Sequence, residues 1–422
     1  MSVTKDNLRK ATPAALRDQP LPRRVMLVVQ STIVGGMETH CVDVGAELVH
    51  RGVEVLAIVP EQNAFDDLGE RFLRAGASVR RLDTHGLRGR SRQALRLLSL
   101  VKICRQWRPD VVHVHTGGAT GGLAVVLAAR HAAGAVTVIT EHDVPVASPS
   151  RHQRFARWAM DRQVHAIVAV SKRNARLRAD RLNTPSHKLV SVLNGVPIAK
   201  VSQPVRRRNR RDIRAEMGIQ SKEVVLGSLV RLADGKGLHD LLRAFAVARQ
   251  PSSKLLIVGD GPLRSELEAL ATKLGITDDI RFAGHRSEPT PFLDAMDAFV
   301  LAVPAGSMSV ALLEAMARGL PAVITFCGPE EPVIDGETGL CAPPSDPSSL
   351  AVVLRRLIAS PDLRRQLGRD GEAYVRRQFS IERVVDDLTE LYRRGRGAVP
   401  ARLRVDVAPA GGSELAPEPV AT

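Results

Sequence analysis

Two cations follow an apolar run in the second half of the chain, in the segment VRLADGKG. Arg231 and Lys236 share this short loop, and Gly235 and Gly237 flank the lysine. A guanidinium binds phosphate oxygens as a fork, an ammonium adds a compact charge, and glycine leaves the backbone free to bend. The segment predicts a diphosphate-binding loop; the alternative is a surface loop with two solvated cations.

A turn of sequence GDGP, with Gly259 and Gly261, follows the apolar run KLLIV. Since Gly and Pro mark turns, the segment by itself indicates only a turn. If both apolar runs are parallel strands, their carboxyl ends meet at one edge of a sheet. The turn is therefore expected to line the same edge as the cationic loop.

The stretch Phe299–Thr325 predicts a strand, a turn of small residues, a helix and a second strand. Ser309 is placed to cap the helix and Gly319 to end it. Free N–H groups of the first helical turn attract anions. Glu314 is acidic among apolar neighbours on this helix, and we interpret it as a carboxylate directed at a ligand; a solvated or capping glutamate is the alternative.

Histidines accompany two predicted strands in the first half of the chain. His142 follows the run VTVIT and is a candidate functional residue at a strand end, although most single histidines are structural or solvated. His113 and His115 alternate within VVHVHT, so both side chains share one face of the strand. A metal site on that face needs a further ligand, for which the sequence offers no obvious donor.

Several catalytic signatures are missing from the sequence. It has no Ser-His-Asp order, no P-loop and no His-Glu-x-x-His pattern. Gly35 and Gly36 follow the first apolar run, where a turn into a helix needs a positive φ or a close approach of the backbone to a ligand. No Gly-x-Gly-x-x-Gly follows that run, which makes an NAD-dependent oxidoreductase a distant alternative.

At 422 residues the chain is long enough for two domains, and 44% hydrophobic residues suffice for folded cores. No run approaches roughly 18 apolar residues, and the N-terminal segment is polar and charged, so we expect neither a membrane span nor a signal peptide. Cys41, Cys104, Cys327 and Cys341 lie far apart, without Cys-x-x-Cys spacing. We therefore expect no disulfide framework, no zinc site and a cytoplasmic location.

The net charge is +15, and nearly all of the excess of Lys and Arg lies in the first 200 residues. This asymmetry suits an anionic partner. We expect peripheral contact with an anionic membrane at its inner face, and no nucleic-acid partner; a solvated basic surface is the alternative. The expected contact residues belong to a basic helix, Arg88 to Trp107, and to the group Arg151, Arg154, Arg157 and Arg162.

Apolar runs alternate with helical segments in two series, which predicts the α/β class with two doubly wound parallel sheets. Residues 197–222 are rich in proline and arginine, so we place the domain boundary there. A cleft between facing carboxyl ends of the two sheets is expected to bind ligands. The expected organisation is a disordered tail (1–22), a Rossmann-like domain (23–199), a basic linker (200–222), a second Rossmann-like domain (223–378), a helix (379–395) and a disordered tail (396–422).

These motifs resemble, in order and spacing, those of retaining GT-B glycosyltransferases of family 4, the group 1 transferases. The resemblance spans about Arg24 to Arg394, and its signature in the second domain is highly specific. The matching segments are GGMETH, ITEHD, VAVSKRN, VLNGVP, VRLADGKG, LLIVGDGPLR, RFAGHR, SMSVALLEAMARGLP and DGETGLCAPPSDPSSL.

The resemblance implies a nucleoside-diphosphate-sugar donor held mainly by the second domain, no cofactor or metal, and a final helix that crosses back to the first domain. Arg231 and Lys236 match the pair that binds the donor diphosphate. Glu314 matches the second glutamate of a Glu-x7-Glu motif, which binds the ribose hydroxyls. Gly36 matches a first-domain glycine near the diphosphate, and His142 matches a histidine near the sugar.

The same resemblance assigns the backbone amides of Met308, Ser309, Val310 and Ala311 to the donor sugar and phosphate. Gly259 and Gly261, on the turn expected at the same edge, are further candidate donor-binding residues.

One position departs from the family pattern. Counting back from Glu314, the first glutamate of the motif should stand at position 306, where this chain has Gly306. In the family that carboxylate contacts the transferred sugar. Its loss is compatible with nucleotide binding and weakens the case for efficient transfer; Glu330 or Glu331 is a possible replacement.

Two functions from different classes follow. The first is a metal-independent retaining hexosyltransferase of polysaccharide or glycolipid biosynthesis, with a saccharide, lipid-linked or small-molecule acceptor. Its expected catalytic residues are His142, Arg231, Lys236 and Glu314. The second is a nucleotide-sugar-binding protein with weak or no transfer activity, which Gly306 favours.

Overall fold

The computed structural model describes residues 20–84, 90–117, 123–143, 150–182, 184–198, 202–304, 308–325, 332–395, 397 and 399–405. The chain divides into two compact units. Unit 1 comprises the residues up to Asn194 and a C-terminal segment that begins at Ile381, and unit 2 comprises Gly195–Ser380. Each unit contains one parallel sheet, which confirms the predicted α/β class with two doubly wound sheets.

The inner strands of unit 1 are largely apolar because both faces of its sheet are buried, whereas the edge strand Ser78–Arg81 is polar and largely exposed. Val25 and Leu27 pack into one core, whereas Met26 and Val28 pack into a second one on the other face. The strands are β1 (Arg24–Gln30), β2 (Glu54–Val59), β3 (Ser78–Arg81), β4 (Val111–Thr116), β5 (Val136–Glu141), β6 (Ala166–Ala169) and β7 (Leu189–Ser191). Their order in the sheet is β3-β2-β1-β4-β5-β6-β7.

Helices connect these strands. They are α1 (Gly36–His50), α2 (Asp66–Arg74), α3 (Arg90–Trp107), α4 (Leu123–Ala133), α5 (Arg151–Gln163) and α6 (Lys172–Leu182).

Unit 2 repeats this architecture with six strands. They are β8 (Val224–Leu229), β9 (Ser253–Val258), β10 (Ile280–Gly284), β11 (Ala298–Leu301), β12 (Ala322–Ile324) and β13 (Gly339–Cys341), in the order β10-β9-β8-β11-β12-β13. The helices are α7 (Gln203–Glu216), α8 (Leu238–Ala248), α9 (Arg264–Lys273), α10 (Thr290–Leu293), α11 (Val310–Ala317), α12 (Pro347–Ala359) and α13 (Pro361–Gln378).

The last helix, α14 (Ile381–Arg394), belongs to unit 1. Val385 and Leu388 pack into the core of that unit. On its surface, Asp386 accepts a hydrogen bond from Arg51 Nη1 at 2.6 Å. The chain therefore returns to the first domain, as the family resemblance implies.

In each sheet the strand order reverses at one point, between β1 and β4 in unit 1 and between β8 and β11 in unit 2. Loops that follow the two strands of a switch point diverge and leave a crevice at the carboxyl edge, which is where open α/β sheets bind ligands. In unit 2 these are the loops after β8 and β11. The predicted cationic loop is one of them.

Side-chain caps begin three helices of unit 2. Ser309 Oγ accepts from the Leu312 N–H at 3.3 Å, Ser360 Oγ caps α13, and Asp346 Oδ1 accepts from two N–H groups of α12. Gly319 ends α11 with a φ of 74°. Both the predicted cap and the predicted stop of α11 are confirmed.

The expectation of a basic linker over 200–222 is wrong, since α7 occupies most of it. Arg214 on α7 is 3% exposed, and its Nη2 donates to Asp297 Oδ2 at 2.8 Å. Its Nε donates to the carbonyl oxygen of Ala295 at 3.0 Å. Arginines anchor this helix to unit 2 through carboxylates and backbone carbonyls distant in sequence, which local composition does not indicate.

The expectation of a disordered tail over 396–422 is wrong for residues 399–405. Val399 and Leu403 lie in the core of unit 1, and Arg402 Nε donates to Glu390 Oε2 at 3.0 Å. A few apolar residues in a Pro- and Ala-rich context are too short a pattern to predict such packing. Residues 406–422, and residues 1–19 of the other predicted tail, lie outside the described residues.

Cysteine spacing did not predict the pairing of Cys341. This residue ends β13 and is disulfide-bonded, and its partner lies outside the described residues. Cys41 and Cys104 are free and buried. Disulfide formation depends on a short distance between Cα atoms in space, which spacing in sequence does not define.

Among the described helices, none is both long and apolar enough to cross a membrane.

Candidate functional site

The cationic loop of unit 2 follows β8, beside the switch point. Gly235 and Gly237 both have positive φ, at 72° and 64°, so a side chain at either position would be strained. A Cβ atom at Gly237 would also lie 1.7 Å from the carbonyl oxygen of Ala302. The loop therefore packs against the chain that leaves β11, and only glycine permits this approach.

The turn after β9 is packed against the same loop. A Cβ atom at Gly259 would lie 2.0 Å from the carbonyl oxygen of Val230, and one at Gly261 would lie 2.3 Å from that of Leu232. The Leu232 N–H also donates to the carbonyl oxygen of Asp260 at 3.0 Å. The turn thus lies at the edge predicted for it. Its glycines serve loop packing, and their role in donor binding stays a prediction.

Arg231 and Lys236 are exposed on this rigid frame. Neither side chain forms a hydrogen bond or an ion pair with any residue that the structure describes. The usual fate of a surface cation near carboxylates is a weak ion pair. Among the described residues the two positive charges beside the switch point have no such partner, and their role in binding an anionic ligand stays a prediction.

The segment 308–311 begins α11 at the same edge. Met308 and Val310 are 4% and 5% exposed, and the Ser309 hydroxyl is engaged as the cap. The first turn of a helix leaves N–H groups without acceptors inside the helix. What Val310 and Ala311 offer to a ligand is therefore backbone N–H together with the positive end of the helix dipole.

Glu314 lies on α11, one turn beyond these amides, and is half-buried. Its position is compatible with a carboxylate that accepts hydrogen bonds from a ligand, and that role stays a prediction. Gly306, Glu330 and Glu331 lie outside the described residues. The question raised by the missing motif glutamate therefore rests on the sequence alone.

In unit 1, His142 lies at the end of β5 and is 7% exposed. Its Nε2 lies 3.2 Å from Nδ1 of His115, at hydrogen-bonding distance, and its backbone N–H donates to the carbonyl oxygen of Thr116 at 3.0 Å. The His40 ring packs edge-on against it, with centroids 5.7 Å apart. His142 is therefore part of a histidine cluster rather than a single histidine.

His113 extends this cluster to the C-terminal helix. Its Nδ1 lies 2.7 Å from the Tyr392 hydroxyl, and its Nε2 lies 2.7 Å from the Thr140 hydroxyl. The rings of His113 and His115 are 4.2 Å apart, which confirms that they share one face of β4. Both nitrogens of His113 have protein partners, so this residue is not a free metal ligand. Within the described residues, no group of three or more His, Cys, Asp or Glu side chains could hold a metal ion.

Burial makes these imidazoles neutral. It lowers the pKa of His113 to about 3, with a smaller contribution from His40. Burial, followed by the neighbouring histidines, lowers the pKa of His115 and of His142 well below the usual range. At pH 7, His142 is therefore a neutral hydrogen-bonding group and not an imidazolium.

Glu141, the residue before His142, belongs to a buried ionic network. Arg178 Nε donates to Glu141 Oε2 at 2.8 Å, and its Nη2 donates to Asp161 Oδ1 at 2.8 Å. Arg157 forms a further ion pair with Glu141. Burial by itself would raise the pKa of Glu141, but the two arginines outweigh it and lower that pKa. The network ties α5 and α6 to the end of β5 and so holds His142 in place.

Two sequence expectations in unit 1 need correction. Arg157 was expected on a basic surface, but it is 2% exposed because it pairs with Glu141. Gly35 has an extended backbone with a φ of −163°, and neither Gly35 nor Gly36 is among the glycines with positive φ. The turn therefore does not need glycine at either position to adopt a positive φ. A close approach to a ligand at Gly36, which begins α1, stays a prediction.

Two family models match the chain, one in each half. Glycosyltransferase Family 4 matches residues 34–200, and Glycosyl transferases group 1 matches residues 209–374. Together they cover most of the chain. The chain belongs to family 4 of the glycosyltransferases, with the GT-B fold.

Curated relatives of this glycosyltransferase share up to about a third of the aligned residues. The lipopolysaccharide core biosynthesis glycosyltransferase LpsE of Rhizobium meliloti is 35% identical over 42% of this chain and 52% of its own length. The 2-deoxystreptamine N-acetyl-D-glucosaminyltransferase of Streptomyces fradiae is 29% identical over 68% of this chain and 74% of its own. The match therefore spans about half of the first relative.

Solved structures support the GT-B fold. A glycosyltransferase from Rickettsia africae superposes with a TM-score of 0.74 at 16% identity, over 88% of this chain and 98% of that one. Alr3699/HepE of Anabaena, in complex with UDP-glucose, superposes with a TM-score of 0.71 at 20% identity, over 87% and 98%.

Sequence reasoning missed the histidine cluster around His142 and the ionic network beneath it. His115 and His142 are 27 positions apart, and Glu141 and Arg178 are 37 apart. The only local signal was the unusual density of polar residues at the ends of two apolar strands. That signal marks an edge, but it does not identify the pairs.

Proposed function

We propose that this family 4 protein is a retaining glycosyltransferase that moves a sugar from a nucleoside diphosphate to a saccharide, lipid-linked or small-molecule acceptor without a metal ion. The observation that carries the proposal is the pair Arg231 and Lys236. Both are exposed, and neither pairs with a described residue. Their loop packs against Ala302 just after β11, at the sheet edge where α11 begins.

The donor half of the reaction follows from these groups. Arg231 binds two phosphate oxygens as a fork, Lys236 adds a point charge, and the amides of Val310 and Ala311 donate to the remaining oxygens. As the bond between the sugar and the diphosphate breaks, negative charge grows on the leaving oxygen. The two cations stabilise that charge, which is the role that a divalent metal serves in other transferases.

Retention requires attack on the face from which the diphosphate leaves. The acceptor oxygen forms the new bond to the anomeric carbon while the bond between that carbon and the β-phosphate oxygen breaks. The acceptor proton passes to the departing β-phosphate oxygen, so the products are the glycoside and the nucleoside diphosphate. His142, neutral at pH 7 because burial lowers its pKa, positions a sugar hydroxyl by hydrogen bonding and does not carry the proton.

A thermal-shift panel of nucleoside diphosphates and their sugars tests the donor assignment, with UDP and UDP-glucose included because Alr3699/HepE was solved with both. A ligand at ~100 times its dissociation constant adds about 2.7 kcal/mol to stability.

Lys236→Ala should weaken binding of the best ligand by roughly 1.5–3 kcal/mol, the value of a charge-assisted contact. Lys222→Ala is the matched control, since Lys222 is also exposed but precedes β8. Equal affinity of the two variants would remove the phosphate role of the loop.

A second candidate is a nucleotide-sugar-binding protein with little transfer activity, because Gly306 stands where the family has a glutamate. Donor hydrolysis separates the two functions. A transferase releases nucleoside diphosphate from the donor without acceptor at a slow but measurable rate, whereas a binding protein shows stabilisation only. Gly306→Glu should raise the preference for the sugar nucleotide over the bare diphosphate if the missing carboxylate limits sugar binding.

Contact with an anionic membrane belongs to the proposal as well. Phe155 and Trp158 are 67% and 53% exposed on α5 and stack on each other, with centroids 5.7 Å apart. Arg151 and Arg154 on the same helix are also exposed. Exposed aromatic rings beside arginines suit a lipid headgroup region. Trp158→Ser should reduce sedimentation with anionic vesicles, whereas the exposed Val247→Ser of unit 2 should not.

A further inference from the structure

Unit 2 contains a cavity of about 450 Å³ that the donor site does not use. Its walls come from α7, from α13 and from the chain segments that lead into β11 and β12. Six arginines and two carboxylates line it, which leaves an excess of positive charge. They are Arg206, Arg207, Arg210, Arg318, Arg365 and Arg369, with Asp294 and Glu372.

Three of these arginines are held in fixed positions by buried or partly buried acceptors. The Asp294 side chain is 1% exposed and accepts from Arg318 Nη1 at 2.7 Å and from Arg206 Nε at 3.3 Å. Arg210 Nη2 donates to Asp297 Oδ1 at 2.7 Å. The inner wall of the cavity is therefore a preorganised set of guanidinium groups, whose entropy of ordering is already lost on folding.

The outer arginines lack comparable partners. Arg207 on α7 and Arg369 on α13 are exposed, and neither side chain pairs with a residue in the described part of the chain. Arg365 pairs with the exposed Asp362, and Glu372 is engaged by an arginine of its own helix. Unneutralised charges therefore lie on two different helices around one cavity.

The cavity lies at the amino edge of the sheet. Met296 and Leu320 lie two positions before β11 and β12, whereas Arg231 and Ser309 follow β8 and β11. Strands of four to six residues separate the two edges by ~13–20 Å, at about 3.3 Å per residue. A ligand in this cavity is therefore distinct from the donor.

We propose that this cavity binds a phosphate ester at a second site of the protein. Guanidinium groups match phosphate oxygens in fork geometry and keep their charge at every physiological pH. The volume is that of a small-molecule pocket, for which about 300–1,000 Å³ is typical. The ligand is either a soluble phosphosugar-sized molecule or the phosphomonoester headgroup of a lipid, and both present the same terminal phosphate.

Calorimetric titration with inorganic pyrophosphate tests the site in an Arg231→Ala/Lys236→Ala background, which removes the donor loop as a competitor. Binding should persist in this background. Adding Arg207→Ala/Arg369→Ala should weaken it at least tenfold, which is about 1.4 kcal/mol. Adding Arg208→Ala/Arg211→Ala, which removes two exposed arginines of α7 outside the cavity, should weaken it less than twofold.

The proposal would be overturned if pyrophosphate did not bind to the background variant. It would also be overturned if both pairs of substitutions weakened binding equally, because the arginines would then attract anions only through the general positive charge of the surface. Two further arms identify the source of the phosphate. Displacement of pyrophosphate by glucose 6-phosphate indicates a soluble ligand. Sedimentation with phosphatidylcholine vesicles that contain phosphatidic acid, if lowered by Arg207→Ala/Arg369→Ala and not by the control pair, indicates a lipid. Pyrophosphate binding with neither response would overturn the assignment to phosphate esters.

Discussion

The carboxyl edges of the two sheets carry their candidate residues in opposite ways. In unit 1, His142 and Glu141 are buried and connected to other side chains by hydrogen bonds and ion pairs. In unit 2, Arg231 and Lys236 are exposed, and only the backbone of their loop is fixed. Substitutions at the edge of unit 1 should therefore change stability, whereas substitutions of the unit 2 cations should change ligand affinity alone.

The largest effect is expected from Arg178→Ala in unit 1. The change leaves Glu141 and Asp161 as buried carboxylates without their shared partner, which costs about 3–5 kcal/mol. Trp107 and Trp158, the two tryptophans of the chain, both lie in unit 1, so denaturation followed by tryptophan fluorescence reports on that unit. Arg176→Ala, at an exposed position of the same helix, should stay within about 0.5 kcal/mol of the unchanged protein. A similar small loss for Arg178→Ala would show that the network does not stabilise this edge.

Acidification should destabilise unit 1 through three of its buried histidines. His113, His115 and His142 have lowered pKa values in the folded state, so the unfolded chain binds more protons below its ordinary histidine pKa of about 6.5. Their stabilising contribution is present above that pH and is lost as the pH falls. Each histidine should cost on the order of 1 kcal/mol between pH 7 and pH 5.5, so the three together should cost on the order of a few kcal/mol.

Tryptophan-detected denaturation at several pH values measures this loss. Between pH 6.5 and 4.5 the histidines lower the stability, and protonation of Glu38, whose pKa burial raises, acts in the opposite direction. The lowered pKa of Glu141 contributes only as the pH falls below about 4.5. His142→Gln should lower by about one the number of protons that the protein takes up on unfolding in this pH range. A flat stability curve across that window would contradict the buried, neutral state of the cluster.

In unit 2, substitutions at two nearby glycines distinguish the effect of backbone strain from the effect of loop packing. Gly235→Ala and Gly237→Ala share the strain of positive φ, about 1–2 kcal/mol. Only Gly237→Ala drives a Cβ atom into the Ala302 carbonyl, which adds about 1–3 kcal/mol. Nucleoside-diphosphate titration should therefore give a weaker affinity for Gly237→Ala than for Gly235→Ala. Equal affinities would show that the contact with the chain after β11 does not shape the site.

The smallest effect is expected at the cap of α11. Ser309→Ala should destabilise the first turn by about 1 kcal/mol and lower nucleotide affinity a few-fold, because the ligand-facing amides become less ordered. Ser360→Ala removes an equivalent cap from α13 and should leave nucleotide affinity unchanged. Hydrogen exchange at the α11 amides, compared between the two variants, checks the local nature of the change.

Much of unit 2 follows from local sequence. The strand before Pro304, the cap at Ser309, the stop at Gly319 and the glycines around Lys236 are all short-range features. The cationic loop was predicted for the same reason, since a ligand site made of exposed residues on one loop needs no partner elsewhere in the chain. Family membership was likewise readable from ordered motifs.

Tertiary structure alone decided what the polar residues of unit 1 do. Arg157 and Arg178 look like surface cations in sequence, yet burial beside Glu141 makes them structural. Tertiary structure also decided the role of the arginines of α7 in unit 2. Their composition predicted a linker, but they anchor a helix and line a cavity. The reason is physical: a charged side chain can be buried only where an opposite charge or a carbonyl oxygen interacts with it. Here those interaction partners are far apart in the chain.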